Sequence, residues 1–272
     1  MSEITGTDLV VLTEAREALE NPSLAIRLSS AVGMPVEAVA KSISARAPKS
    51  VSDAVSASTK KAIETVMLRA AETLRDEQDV DASPRLHAAA AATTGAVAGF
   101  VGIKALAVEL PITTGIMFRS IVDIARAEGE SPRDDETLIN AMQVFAFGSG
   151  MSSKDDAAET SYYGARLALS QSVSEAMQYV ARHGIGDATA PVLVRFVAMV
   201  AKRFGIVVTQ KAMAQTLPVV GAVGGGLINT IFISHFQDVA RSHFAIRRLE
   251  REYGADAVRL AYEEQQSARS QQ

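Results

Sequence analysis

AMAQTLPVVGAVGGGLINTIFISHF, residues 212–236, runs for 25 residues without a formal charge. Lys211 and Asp238 bracket it, and an arginine-rich stretch, ARSHFAIRRLEREYG, follows at residues 240–254. A helix needs about 20 apolar residues to cross a bilayer, so the length suffices. Yet Pro218, Gly221, Gly224, Gly225, Gly226, Asn229 and His235 dilute the apolar character. Two readings remain open: the buried central helix of a soluble bundle, or a segment that meets lipid. Both are helical.

A second uncharged run, LHAAAAATTGAVAGFVGI at residues 86–103, is shorter and weaker, because Ala, Gly and Thr gain little on transfer out of water. The small residues have another use. Gly95 with Gly99, and Gly221 with Gly224 and Gly225, let helix backbones approach closely, in lipid or in a protein interior.

Outward from these runs the punctuation is helical. Pro22, Pro35 and Pro191 sit where first-turn prolines belong, and Gly33, Gly129, Gly148, Gly184 and Gly254 stand where helices stop. Ser83-Pro84 marks another start, and Leu110-Pro111 marks a boundary after which Thr113 or Thr114 caps a helix reaching about Glu128. No stretch sustains period-two alternation; Ile206–Thr209 has strand propensity but lies inside a helical pattern. The expected fold is all-α, one large bundle of about nine or ten helices with glycine-rich central ones. Short N-terminal helices are expected over residues 1–50 and the main helical domain over 51–272.

Composition narrows the partners. Apolar residues make up 48% and charged ones 21%, which allows a full core, while aromatics are only 5% with no Trp, so Ala, Leu, Ile, Val and Met must build it. The net charge of −4 argues against nucleic acid as a partner. The absence of cysteine excludes disulfides, thiol nucleophiles and thiolate zinc sites. MSEITGTDLVVLTEAREALE places acids where a signal peptide needs a basic and then an apolar stretch. The expected location is cytoplasmic, peripheral to the inner face of the cell membrane.

ELPITTGIMFRSIVDIARAEGE, residues 109–130, is the most distinctive polar pattern. Arg119 and Asp123 are four apart, and Asp123 and Arg126 three apart, so the three can share a face, with Glu109 near the helix start. One reading is an ion-pair network that locks the helix to its neighbours. The other is a polar pocket for an anion, with Arg119 and Arg126 as binders and Glu109 or Asp123 orienting them. Membrane contact draws on Pro218, Gly221, Gly224, Gly225, Gly226, Leu227, Ile231 and Phe232, followed by Arg241, Arg247 and Arg248 as headgroup neighbours. The bland alternative for those arginines is intrahelical pairing, such as Arg247 with Glu250. His235, Asp238 and His243 share a helix, but three ligands on one helix rarely converge, and no HExxH or Glu-xx-His pattern accompanies them. No catalytic motif is complete: Gly148-Ser149-Gly150 is neither a nucleophile elbow nor a phosphate loop, and Gly221–Gly226 fails as a dinucleotide fingerprint. No cofactor is called for.

Residues 109–130, QVFAFG at 143–148 and LPVVGAVGGGLIN…FISHFQDVARSHFAIRRLEREYG together resemble the EcsC family over roughly Ala62 to Gly254. That family is named for a protein encoded beside an ABC transporter. The resemblance implies an α-helical bacterial protein, often associated with membranes or transport, and carries over no enzymatic activity. The expected function is non-enzymatic binding at the cytoplasmic membrane surface, to lipid or to a membrane protein such as a transporter subunit. The alternative is a soluble helical ligand-binding protein or enzyme using the pocket around Glu109, Arg119, Asp123 and Arg126.

Overall fold

The structure, a computed structural model, describes residues 4–20, 24–43, 47–73, 103–148, 161–185, 189–215 and 225–269. Among these residues there are ten α-helices and no strand, so the fold is all-α. They are α1 (Gly6–Glu20), α2 (Leu24–Val32), α3 (Val36–Ile43), α4 (Lys49–Thr73) and α5 (Ile103–Ala127). After these come α6 (Asp135–Phe147), α7 (Tyr162–His183), α8 (Pro191–Ala214), α9 (Gly225–Tyr253) and α10 (Ala255–Arg269). The run at 86–102, Ser83-Pro84, Pro218, Gly221 and Gly224 lie outside the described residues.

Local chemistry accounts for the boundaries. Ser161 caps α7 by accepting from the Gly164 amide, and Pro191 opens α8, where its missing N–H costs nothing. Gly254 separates α9 from α10 at φ +90°, a backbone conformation side chains resist. Pro111 departs from expectation. It does not open a helix but lies inside α5, which begins two turns earlier at Ile103. Thr113 and Thr114 are therefore not caps; both are fully buried on the helix interior, and their hydroxyls make no hydrogen bond. An internal proline costs about 3 kcal/mol of helix propensity. Burial of Leu110 and the engagement of Glu109 with a neighbouring helix offset it.

The core is organised around α9, which packs against α1, α2, α5, α6 and α10, while α8 packs against α3, α4, α6 and α7. Phe145 of α6, Phe204 of α8 and Phe232 and Phe236 of α9 form a central aromatic cluster, with Phe145–Phe204 and Phe232–Phe236 centroids 5.1 and 5.2 Å apart. From Ile228 onward the uncharged run is thus interior. No described helix is long and apolar enough to cross a membrane. The first helices belong to the same body: α1 and α2 cover α9, and α3 covers α8.

Candidate functional site

Glu109 is the only charged residue from Ala105 to Phe118, and Lys211 is the last before the uncharged run. The fold brings these two isolated charges together. Lys211 Nζ donates to Glu109 Oε1 at 2.8 Å and to Asn229 Oδ1 at 2.9 Å, and lies 4.8 Å from the centre of the Phe232 ring. Lys211 is only 1% exposed, and burial pushes its pKa down, opposed by the Glu109 carboxylate. The ammonium thus satisfies its donors on α5 and α9 and its remaining face on an aromatic ring, which is what a buried cation requires.

The bridge fixes a geometry. Lys211 is three residues from the end of α8, Asn229 four from the start of α9, and Glu109 six from the start of α5. The helix ends from which both uncharged runs continue are therefore gathered at one end of the bundle. Its two charges neutralise each other inside, and apolar side chains beside them face outward: Val108 is 67% exposed, Ile112 42% and Leu227 37%. Apart from Lys104 in the first turn of α5, this is a charge-free end.

The four residues expected to share a pocket do not. Glu109 is taken by Lys211, and about 15 Å of helix separates it from Arg119. Arg119 and Arg126 are exposed and Asp123 is half-buried. Neither the cavity beside α1 nor that at the α5–α6 turn is lined by any of the four. The membrane set also divides. Gly226 and Ile231 are half-buried and Leu227 exposed, but Phe232 is fully buried in the aromatic cluster, so it points inward, away from any lipid.

The arginines lie far along the same helix: Arg247 is 22 residues beyond Gly225, about 33 Å. They are also already engaged. Arg247 pairs with Glu130 at 2.5 Å and Glu136 at 3.2 Å, not with Glu250. Arg248 meets Glu128 and Asp8, and Arg241 meets Asp238. Glu250 accepts instead from Arg166 at 2.6 and 3.1 Å. Arg247 and Arg248 clamp α1, α6 and the α5–α6 turn onto α9, Arg166 does the same for α7, and the α9 arginines form no headgroup patch beside the charge-free end.

His235, Asp238 and His243 point to separate partners. The His235 Nε2 lies 2.8 Å from the Gly148 carbonyl, and the His243 Nδ1 lies 2.8 Å from the Tyr162 hydroxyl. Asp238 is held by Arg27 and Arg241. Burial pushes the His235 pKa down to about 4, and His243 falls well below its usual value through burial and then the nearby Arg166 and Arg247. Among the described residues no group of three or more His, Asp or Glu side chains is placed to hold a metal.

Sequence reasoning missed the roles of Lys211 and Asn229, though one signal was present. Two lone, opposite charges in otherwise uncharged helical stretches must find each other if both stretches are buried. The Tyr162–His243–Arg166–Glu250 cluster left no such trace, because the contacts that join its two helices span 81 or more positions.

Comparison with the curated proteins and with the solved structures gives no match. The model of the EcsC protein family does match, over residues 16–249. That range begins well before Ala62 and takes in the last five residues of α1 and all of α2 and α3, helices that cover α9 and α8. This chain belongs to the EcsC protein family.

Proposed function

We propose that this EcsC-family protein is a non-enzymatic binding protein of the cytoplasmic membrane surface, and that the charge-free end of the bundle is its contact face. One observation carries the reading. The Lys211–Glu109–Asn229 bridge gathers the starts of α5 and α9 and the end of α8, and buries two of the three charges these ends carry, Lys104 being the third. An end that approaches lipid must shed exposed charge, because an ion leaving water costs several kcal/mol whereas a neutral internal pair does not move.

Val108, Ile112 and Leu227 alone contribute about 3 kcal/mol if half of each side chain leaves water. That is too little for lasting attachment, since even a myristoyl chain binds only marginally. The reading therefore assigns the remainder to the uncharged residues 86–102 and 212–224, Pro218, Gly221 and Gly224 among them.

Flotation with lipid vesicles tests this. The protein is expected to float with neutral and anionic vesicles alike and to resist 0.5 M salt (roughly, a Debye length of a few Å), because paired arginines lend little attraction. Val108→Asp/Ile112→Asp should abolish flotation without lowering the melting temperature, both positions being exposed. Protein that remains wholly in the soluble fraction with every vesicle overturns direct lipid binding. Retention only by membranes that still hold their proteins would instead identify a membrane protein, such as a transporter subunit, as the partner.

A further inference from the structure

At the side of the bundle, away from the charge-free end, a cavity of about 330 Å³ opens between α1, α2, the end of α5 and α9. Asp238, in its wall, is thirteen residues from Gly225, about 20 Å along α9. The α1 wall is apolar, made by Val11, Ala15 and Ala18, with Glu14 at the rim. His235 and Ser242 line the α9 side, both nearly buried, and Arg27, Asp238 and Arg241 complete the mouth. The volume suits a small organic molecule.

The hydrogen-bonding state of the lining selects among ligands. A carbonyl oxygen only accepts, so the His235 Nε2 bonded to Gly148 carries the proton. With the ring held neutral by burial, Nδ1 is a bare acceptor. Among the described residues neither Nδ1, the Ser242 hydroxyl nor the Glu14 carboxylate engages a partner. The guanidiniums, by contrast, already share their charge with a carboxylate: Arg27 and Arg241 each commit an N–H to Asp238. Glu128, the third carboxylate of the wall, is held by Arg248 from outside the cavity. Three carboxylates against two guanidiniums leave the lining one unit negative. An anion would meet three carboxylates and two guanidiniums whose charge is already shared with Asp238, and it could not use the bare acceptors.

We propose that this cavity binds a small hydroxylated ammonium compound, its N–H and O–H donors meeting Glu14, the His235 Nδ1 and Ser242. The apolar α1 wall accepts the carbon skeleton. The site is independent of the membrane contact, which lies at another end of α9.

Ethanolamine is the probe, followed by amide chemical shifts and calorimetry on the full chain, with choline and ethylene glycol for comparison. Ethanolamine should produce saturable shifts at the amides of Ala15 and Ser242. Choline, which lacks N–H donors, and ethylene glycol, which lacks charge, should bind more weakly. Glu14→Gln, an exposed isosteric change, should weaken ethanolamine about fivefold, the upper range for a rim charge. Ala18→Leu should fill the cavity and abolish the shifts. No saturable response up to about 100 mM, beyond any affinity a built site would show, overturns the proposal. So does binding that both variants leave unchanged, or a choline affinity equal to that of ethanolamine.

Discussion

Replacing Lys211 by Met keeps the volume of the side chain and removes its charge, leaving the Glu109 carboxylate buried with no cation. The penalty has a ceiling, because Glu109 can take up a proton instead of staying ionised. Neutralising a carboxyl whose usual pKa is about 4.3 costs about 4 kcal/mol at pH 7. The lost donor to Asn229 adds about 1 kcal/mol or more. Lys211→Met should therefore lose about 3–5 kcal/mol, the range measured when one partner of a buried pair is removed. Adding Glu109→Leu removes the stranded carboxyl and should restore at least about 2 kcal/mol, since an apolar pair in such a site is often neutral. The two changes are then strongly non-additive. Urea unfolding of wild type, both single variants and the double variant, followed by circular dichroism, measures this as midpoint shifts at constant slope. A second readout is the pH dependence of the difference between wild type and Lys211→Met. Protonation of that carboxyl becomes cheaper as pH falls, so the penalty should shrink toward about 2 kcal/mol near pH 5, half of it the lost donor to Asn229. Single variants that each cost under about 1 kcal/mol, or a double variant equal to their sum, would refute the claim that these groups form one buried, mutually dependent pair.

Three further outcomes follow from the interior of α9. His235 titrates near 6.5 when unfolded but near 4 when buried, so the unfolded chain binds the proton first; stability is complete above pH 6.5 and falls by about 3 kcal/mol as pH drops toward 4. His243 acts in the same direction, and His235→Gln, which keeps a donor for the Gly148 carbonyl, should flatten the slope in acid titrations of unfolding. Gly148→Ala places a Cβ 2.8 Å from the Phe236 ring and 2.9 Å from the His235 Nε2; thermal denaturation should report a loss of about 1–3 kcal/mol although the backbone there suits alanine. Glu130→Gln leaves Arg247 and Arg251 without their shared carboxylate and should cost about 2 kcal/mol in chemical denaturation, less in high salt because Arg251 is partly exposed.

Helix starts and stops were legible wherever a residue acts on its own backbone. Pro191, Gly129, Gly184 and Gly254 each do what their φ preference or missing amide dictates, and the order of helices follows from them. Pro111 misled because its local effect was outweighed by something non-local: Leu110 is buried and Glu109 is tied to α8, so the helix runs through. Pairing by sequence spacing failed for the same reason. Glu250 lies three residues from Arg247 and could meet it on the helix surface. Instead it meets Arg166, 84 residues away, and Arg247 meets Glu130, 117 away, because α9 is covered on nearly every side. Spacing rules describe a helix in water; α9 has little water around it. The candidate site was half-visible: the uncharged run and Leu227 were read directly, whereas its closing bridge needed the tertiary contact.

The division of α9 into two chemical halves would let one helix serve both stability and the proposed contact. Up to Gln237 the helix offers no charge, and its attachment to α5 and α8 depends on one internal bridge and aromatic packing. Beyond it, Asp238, Arg241, Arg247, Arg248, Glu250 and Arg251 fasten α2, α7 and the α5–α6 turn by ion pairs that can be wet at their edges. Ion pairs at the bundle's charged half tolerate water and salt with modest loss, and their removal loosens the scaffold locally. The bridge at the other half tolerates neither partner's loss, because both charges are stranded in low dielectric. Under the proposed contact, an end that leaves water must hold its shape with little help from surface charges, and a single neutral, interior pair meets that requirement. The same logic predicts that charge added outside, at Val108 or Ile112, harms contact but not folding, while charge removed inside, at Lys211, harms folding but leaves the contact chemistry of the surviving folded molecules unchanged.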